Sequence, residues 1–138
     1  MNALISVKTV LHSEEGRDEM EFVTEGQYNY GGGVITIDYM ESELTGMAGT
    51  HTVFKVTDSD VTLTREGDIN THVLYRAGEK HYFAYNTPMG MMTIGVDTRS
   101  VTNRLGIHGG MLGLHYNIDV HGAAVSSNEV TINVKEVK

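Results

Sequence analysis

The chain has 138 residues, enough for one domain with its own core and no covalent staples. It holds no cysteine, which removes disulfides, thiol chemistry and cysteine-based zinc or iron–sulfur centres. Asp plus Glu number 18 against 10 for Lys plus Arg, a formal charge of −8, so the chain lacks the basic footprint of a nucleic-acid binder and has no attraction to anionic lipid.

The opening segment, MNALISVKTVLHSEEG, has no basic leader region, and Ser6 and Lys8 break its apolar run. It reads as neither a signal peptide nor a spanning helix, and a cytoplasmic location is the expectation. Apolar residues then recur with a period of two. Ile5, Val7, Thr9 and Leu11 share one parity. Met20, Phe22, Thr24, Gly26, Tyr28 and Tyr30 share another run, with Glu19, Glu21, Glu25 and Gln27 opposite. Gly31-Gly32-Gly33 supplies a turn, and Ile35, Ile37 and Tyr39 return.

Ser42 to Ala48 reads as an irregular turn. Thr52, Phe54 and Val56 follow, stopped by Asp58-Ser59-Asp60. Val61 and Leu63 lead to a turn at Glu66-Gly67-Asp68, and Val73 and Tyr75 lead to Ala77-Gly78-Glu79. Phe83 and Tyr85 precede Thr87-Pro88-Met89-Gly90. Met92, Ile94 and Val96 read as a strand stopped near Asp97, with a weakly patterned piece around Val101 to Ile107. Leu112 to Val120 alternates most cleanly, Ser126-Ser127 reads as a polar turn, and Val130, Ile132 and Val134 close the chain.

Alternation with frequent turn signals, 16 Gly and a single Pro predict an all-β, antiparallel, meandering domain over residues 1–138. Roughly 8–10 strands in an open sheet would leave long bare edges, so a single up-and-down β-barrel is expected.

Five stretches carry a family resemblance. They are Glu41…Thr45-Gly46-Met47-x-Gly49-Thr50, Arg65-x-Gly67, Tyr85-x-Thr87-Pro88-x-Gly90, Gly110…Leu114-x-Tyr116, and Asn128 before the last apolar strand. In these motifs the chain resembles the YwiB-like family of small bacterial proteins of unknown function. The resemblance covers nearly the whole chain and implies a calycin-like (lipocalin-like) barrel. It brings no reaction and no cofactor. Members of the wider calycin group commonly bind small apolar ligands inside the barrel, a fold-level analogy. Gly106-Ile-His-Gly-Gly-Met-Leu-Gly departs from the family pattern in its richness in Gly and His.

The unusual site is charged. Glu41 continues the inward parity of Ile35, Ile37 and Tyr39, and Arg65 continues that of Val61 and Leu63. A barrel interior does not hold either charge alone, so the two are expected to meet directly, through water or through a ligand. Tyr28, Tyr39, Tyr75, Tyr85 and Tyr116 sit on comparable parities and are candidates for a ring of hydroxyls around them. Solvated strand ends and ordinary core tyrosines are the plainer readings.

Seven His are present, with His115, Asn117, Asp119 and His121 on the polar face of one strand. Same-face neighbours on a strand lie roughly 7 Å apart, too far to share one zinc unaided. A surface His face is therefore expected and no metal or other cofactor, with His108 and His115 the pair to inspect. Met20, Met40, Met47, Met89, Met91, Met92 and Met111 read as gap-filling at the barrel ends. No nucleophile motif occurs, and no partnered His is evident for Ser126-Ser127.

The leading expectation is non-catalytic binding of a small molecule, with Glu41, Arg65 and the tyrosines lining the site. The alternative is a solid barrel acting through a homodimer or partner-protein interface. An enzyme using Glu41 as acid or base ranks third. Nucleic acid and membranes are not expected partners.

Overall fold

The computed structural model describes residues 1–68 and 70–137, without the side chains of 86 and 87. Ten strands follow one another: β1 (Asn2–Ser13), β2 (Gly16–Gly31), β3 (Val34–Met40), β4 (Thr50–Val56), β5 (Val61–Gly67), β6 (Thr71–Tyr75), β7 (Lys80–Thr87), β8 (Gly90–Gly106), β9 (Gly109–Val120) and β10 (Ala123–Glu136). All neighbours are antiparallel, in the order β6-β5-β4-β3-β2-β1-β10-β9-β8-β7. The first and last strands thus pair at the middle of the sheet, and the sheet curls until β6 and β7 meet. Every strand sends apolar side chains to one interior cluster, which is what makes the sheet a nearly closed barrel.

Period-two alternation builds this interior. Ala3, Ile5 and Val7 of β1, Ile35, Ile37 and Tyr39 of β3, and Val61 and Leu63 of β5 are all buried. Each fully buried aliphatic side chain contributes roughly 1.5–3 kcal/mol relative to exposure. Leu11 is an exception to its expected parity: it is half-buried, while Val10 on the other face is buried.

Among the described residues, no ladder joins β6 to β7. The connection between them closes the seam instead: Gly78 N donates to Thr98 O at 2.9 Å, and Thr98 N donates to Glu79 O at 3.0 Å. Among the described residues, no helix is long and apolar enough to cross a membrane.

Two sequence expectations are corrected here. The strand expected to stop near Asp97 runs on to Gly106 as one continuous β8. A bulge at Arg99 skips one residue against β9, so Thr98 pairs with Tyr116 and Ser100 with His115. Before the bulge the even positions Ile94, Val96 and Thr98 face inward; after it the odd positions Val101 and Leu105 do. The pattern around Val101 looked weak because its phase changes. Ser126 and Ser127 likewise lie within β10, beside a second register shift between Ala124 and Ser126, and the turn falls at His121-Gly122.

The Gly-rich turn between β8 and β9 is tight. Gly109 and Gly110 have φ of 120° and 139°, and a side chain at Gly110 would fall onto the Arg104 carbonyl oxygen. Glycine is required there by close backbone approach.

Candidate functional site

Glu41 keeps its inward parity because the β3–β4 ladder outlasts the strand by one residue: its N–H donates to Thr50 O at 2.8 Å. The side chain is 7% exposed; among the described residues neither carboxyl oxygen makes a well-formed hydrogen bond, and the Tyr39 hydroxyl is its near polar neighbour. Just beyond, Ser42 caps a single 3-10 turn over Glu43–Thr45, with its hydroxyl accepting from Leu44 N at 3.2 Å. Gly46, at φ 74°, ends it in the left-handed region. This corner turns Thr45 and Met47 back over the barrel mouth, while Leu44 points out at 79% exposed.

Arg65 arrives from β5. Tyr39 pairs with Thr52, Thr52 with Arg65 and Arg65 with Thr71, so one inward row crosses β3 to β6. Glu41 lies one inward position further along the barrel than this row. Two strand spacings and a two-residue axial step place the Glu41 and Arg65 Cα atoms about 12 Å apart. The expected direct meeting of the two charges does not occur: no ion pair joins them among the described residues, and Arg65 Nε is buried with no hydrogen-bond partner. Both instead line one cavity of about 220 Å³.

Three of the five candidate tyrosines line that cavity: Tyr39, Tyr75 and Tyr116. Tyr75 and Tyr116 pack with ring centroids 4.8 Å apart, and Phe22 packs edge-on against Tyr39 at 5.9 Å. Burial pushes the Tyr39 hydroxyl well up from its ordinary value, and the neighbouring Glu41 carboxylate adds to the rise. Burial raises Tyr75 likewise, with Tyr116 adding to it. Tyr116 is raised by burial against the opposing pull of the Tyr75 hydroxyl. Arg65 opposes the rise in all three, which places its positive field across the whole site.

Tyr28 and Tyr85 are not part of this lining. Tyr28 is buried, but its hydroxyl donates to Gly106 O at 2.6 Å, at the opposite turn of the barrel. Parity fixes which face a residue takes and leaves its height along the barrel open. The remaining walls include Phe22, Phe54, Leu63 and Leu114, which the sequence marks only as core, and Met20 and Met47, expected as gap-fillers at barrel ends, reach the same space.

The histidines lie apart. His108 Nδ1 is 2.7 Å from Glu136 Oε2. His115 sits seven residues further on, about 23 Å along an extended strand. Its Nε2 is 3.3 Å from Ser127 Oγ, a His–Ser contact the sequence did not reveal because the residues meet across β9 and β10. With its amide oriented to satisfy both neighbours, Asn117 donates to Ser127 Oγ and accepts from Arg99, so this polar group ties down the bulge. No group of three metal-ligating side chains occurs among the described residues.

The arrangement offers a largely apolar cavity with a carboxyl at one side, a guanidinium at another and tyrosine side chains between. It can hold a small molecule at both charged ends; the chemistry of such a pocket is recognition by opposite charges.

No match was found among curated proteins. Among solved structures, the chain is similar to one described as "Crystal structure of ywiB protein from Bacillus subtilis", at 21% identity and a TM-score of 0.85, covering 99% of this chain and 92% of that one. At that identity the likeness shows the fold. The family model described as "Domain of unknown function (DUF1934)" matches residues 5–132, and the chain accordingly belongs to the DUF1934 family.

Proposed function

We propose that this protein binds a small molecule within its barrel without transforming it. The observation that carries this reading is the pairing of a cavity of about 220 Å³ with a buried carboxyl that makes no well-formed hydrogen bond to a described protein donor. A buried polar group left without a partner costs roughly 1–3 kcal/mol, and folded proteins keep such groups mainly where something else uses them. The cavity has room for about seven waters at liquid density, which matches a small metabolite and exceeds a packing defect. Ligand binding in calycin-like barrels supports the reading by analogy of fold. The acidic, cysteine-free composition fits a cytoplasmic setting.

Native mass spectrometry of protein purified from cells tests the proposal. A bound species released on denaturation, and lost in Glu41→Leu, is the expected result. A spectrum of the bare chain alone, unchanged by incubation with a metabolite extract, would refute it.

A second reading rests on the seam. Among the described residues β6 and β7 each lack a ladder on one side, and a strand edge without a ladder is a site where another chain can pair. A homodimer formed through these edges would appear as a doubled mass in light scattering, and Pro substitutions in β6 would abolish it.

A further inference from the structure

We infer that the ligand is a small zwitterion, with a cationic N–H group for Glu41 and a carboxylate for Arg65, joined by a short apolar frame. This rests on the small-molecule reading above and deepens it.

Three observations converge. Glu41 presents two oxygens, neither in a well-formed hydrogen bond to a described protein donor, in a side chain more than nine-tenths buried, with the Tyr39 hydroxyl as its near neighbour. Oxygens of this kind accept; they are matched by a group with several N–H donors. Arg65 brings the complementary half: its Nε is also without a partner, and its planar fork fits a carboxylate in two-point contact. The two stand in different rows on β3 and β5, and no ion pair joins them among the described residues. A ligand with a single charge would leave either the buried Glu41 carboxyl or the buried Arg65 Nε unmatched. A neutral apolar ligand would leave both unmatched, and at Glu41 that carries a burial cost.

The space between the charges is apolar and aromatic. Phe54, Leu63 and Leu114 form walls, and the Tyr75–Tyr116 pair packs at a tilt of 55° within the field of Arg65. The cavity volume admits a frame of a few carbons. An amino acid, with α or more distant amine, has this chemistry.

The test is calorimetric titration of the full chain with three matched series: ω-amino acids from glycine to 6-aminohexanoate together with L-leucine and L-phenylalanine, the corresponding alkylamines, and the corresponding alkanoates. At least one zwitterion should bind about tenfold or more tightly than its amine and its acid counterparts. Glu41→Gln should reduce that zwitterion to the affinity of the alkanoate, and Arg65→Met to that of the alkylamine. Circular dichroism and a cooperative melt confirm that each variant is folded.

Equal binding of a singly charged probe and its zwitterion would overturn the zwitterion while leaving small-molecule binding intact. So would preferred binding of a zwitterion that neither variant weakens. No binding by any series, together with a bare chain in native mass spectrometry, would overturn both.

Discussion

Glu41 and Arg65 face one cavity from opposite sides of β4 and do not touch. Arg65 stands in the Tyr39–Thr52 row, and Glu41 stands in the next inward row, opposite Thr50. The two opposite charges therefore line one cavity from different rows, with no ion pair between them among the described residues.

The first prediction concerns stability. With no well-formed hydrogen bond to its buried carboxyl from a described protein donor, Glu41 weakens the free protein. Glu41→Leu should raise unfolding free energy by about 1–3 kcal/mol, read from urea denaturation midpoints at constant m-value. A site selected for stability would show the opposite, a loss on substitution.

Coupling between the two charges gives the second. A closed buried ion pair loses about 3–5 kcal/mol when one partner is removed. Because the pair is open here, a double-mutant cycle of Glu41→Gln and Arg65→Met in the free protein should give coupling well below that, about 0.5–1 kcal/mol. Bound ligand should increase it. A coupling of several kcal/mol without ligand would mean that the two side chains meet in solution.

Alkaline pH tests the buried tyrosines. Tyr39, Tyr75 and Tyr116 all have their pKa raised in the folded state, chiefly by burial. An unfolded tyrosine loses its proton near pH 10, while the folded one retains it. The unfolded state then binds fewer protons, so stability falls as pH rises. The contribution is complete below about pH 10 and is lost above it. Denaturation midpoints from pH 8 to 11 should decline steeply at the upper end, and Tyr39→Phe should flatten that limb.

Backbone crowding at the β8–β9 turn gives the fourth. Gly110→Ala forces a Cβ against the Arg104 carbonyl at a φ of 139°. A loss of at least about 1–3 kcal/mol is expected from the strained backbone alone, whereas Gly32→Ala, where a Cβ meets nothing within 4 Å, should cost less despite its φ of 66°.

Much of the barrel is legible in the sequence because parity is a strong signal wherever one face is buried. The inward course of β3 through Ile35, Ile37, Tyr39 and Glu41 and that of β5 through Val61, Leu63 and Arg65 follow from it directly. Parity fails where the chain inserts a residue. At Arg99 the inward set moves from even to odd positions, and one strand reads as a strand followed by a fragment. Height along the barrel is also hidden. Tyr28 and Tyr39 are equally inward, yet Tyr28 bonds the Gly106 turn while Tyr39 stands beside Glu41. Only the cross-strand register, which turn lengths and bulges set together, separates them. The same register places Glu41 and Arg65 along one cavity.

The most direct test is a crystal structure, at a resolution that separates waters from a connected molecule, of protein purified without denaturation from cells. Continuous density spanning Glu41 to Arg65, with its donor end at Glu41, is the predicted result. Separate water peaks filling the cavity, or a Glu41 side chain turned out to solvent, would contradict the account.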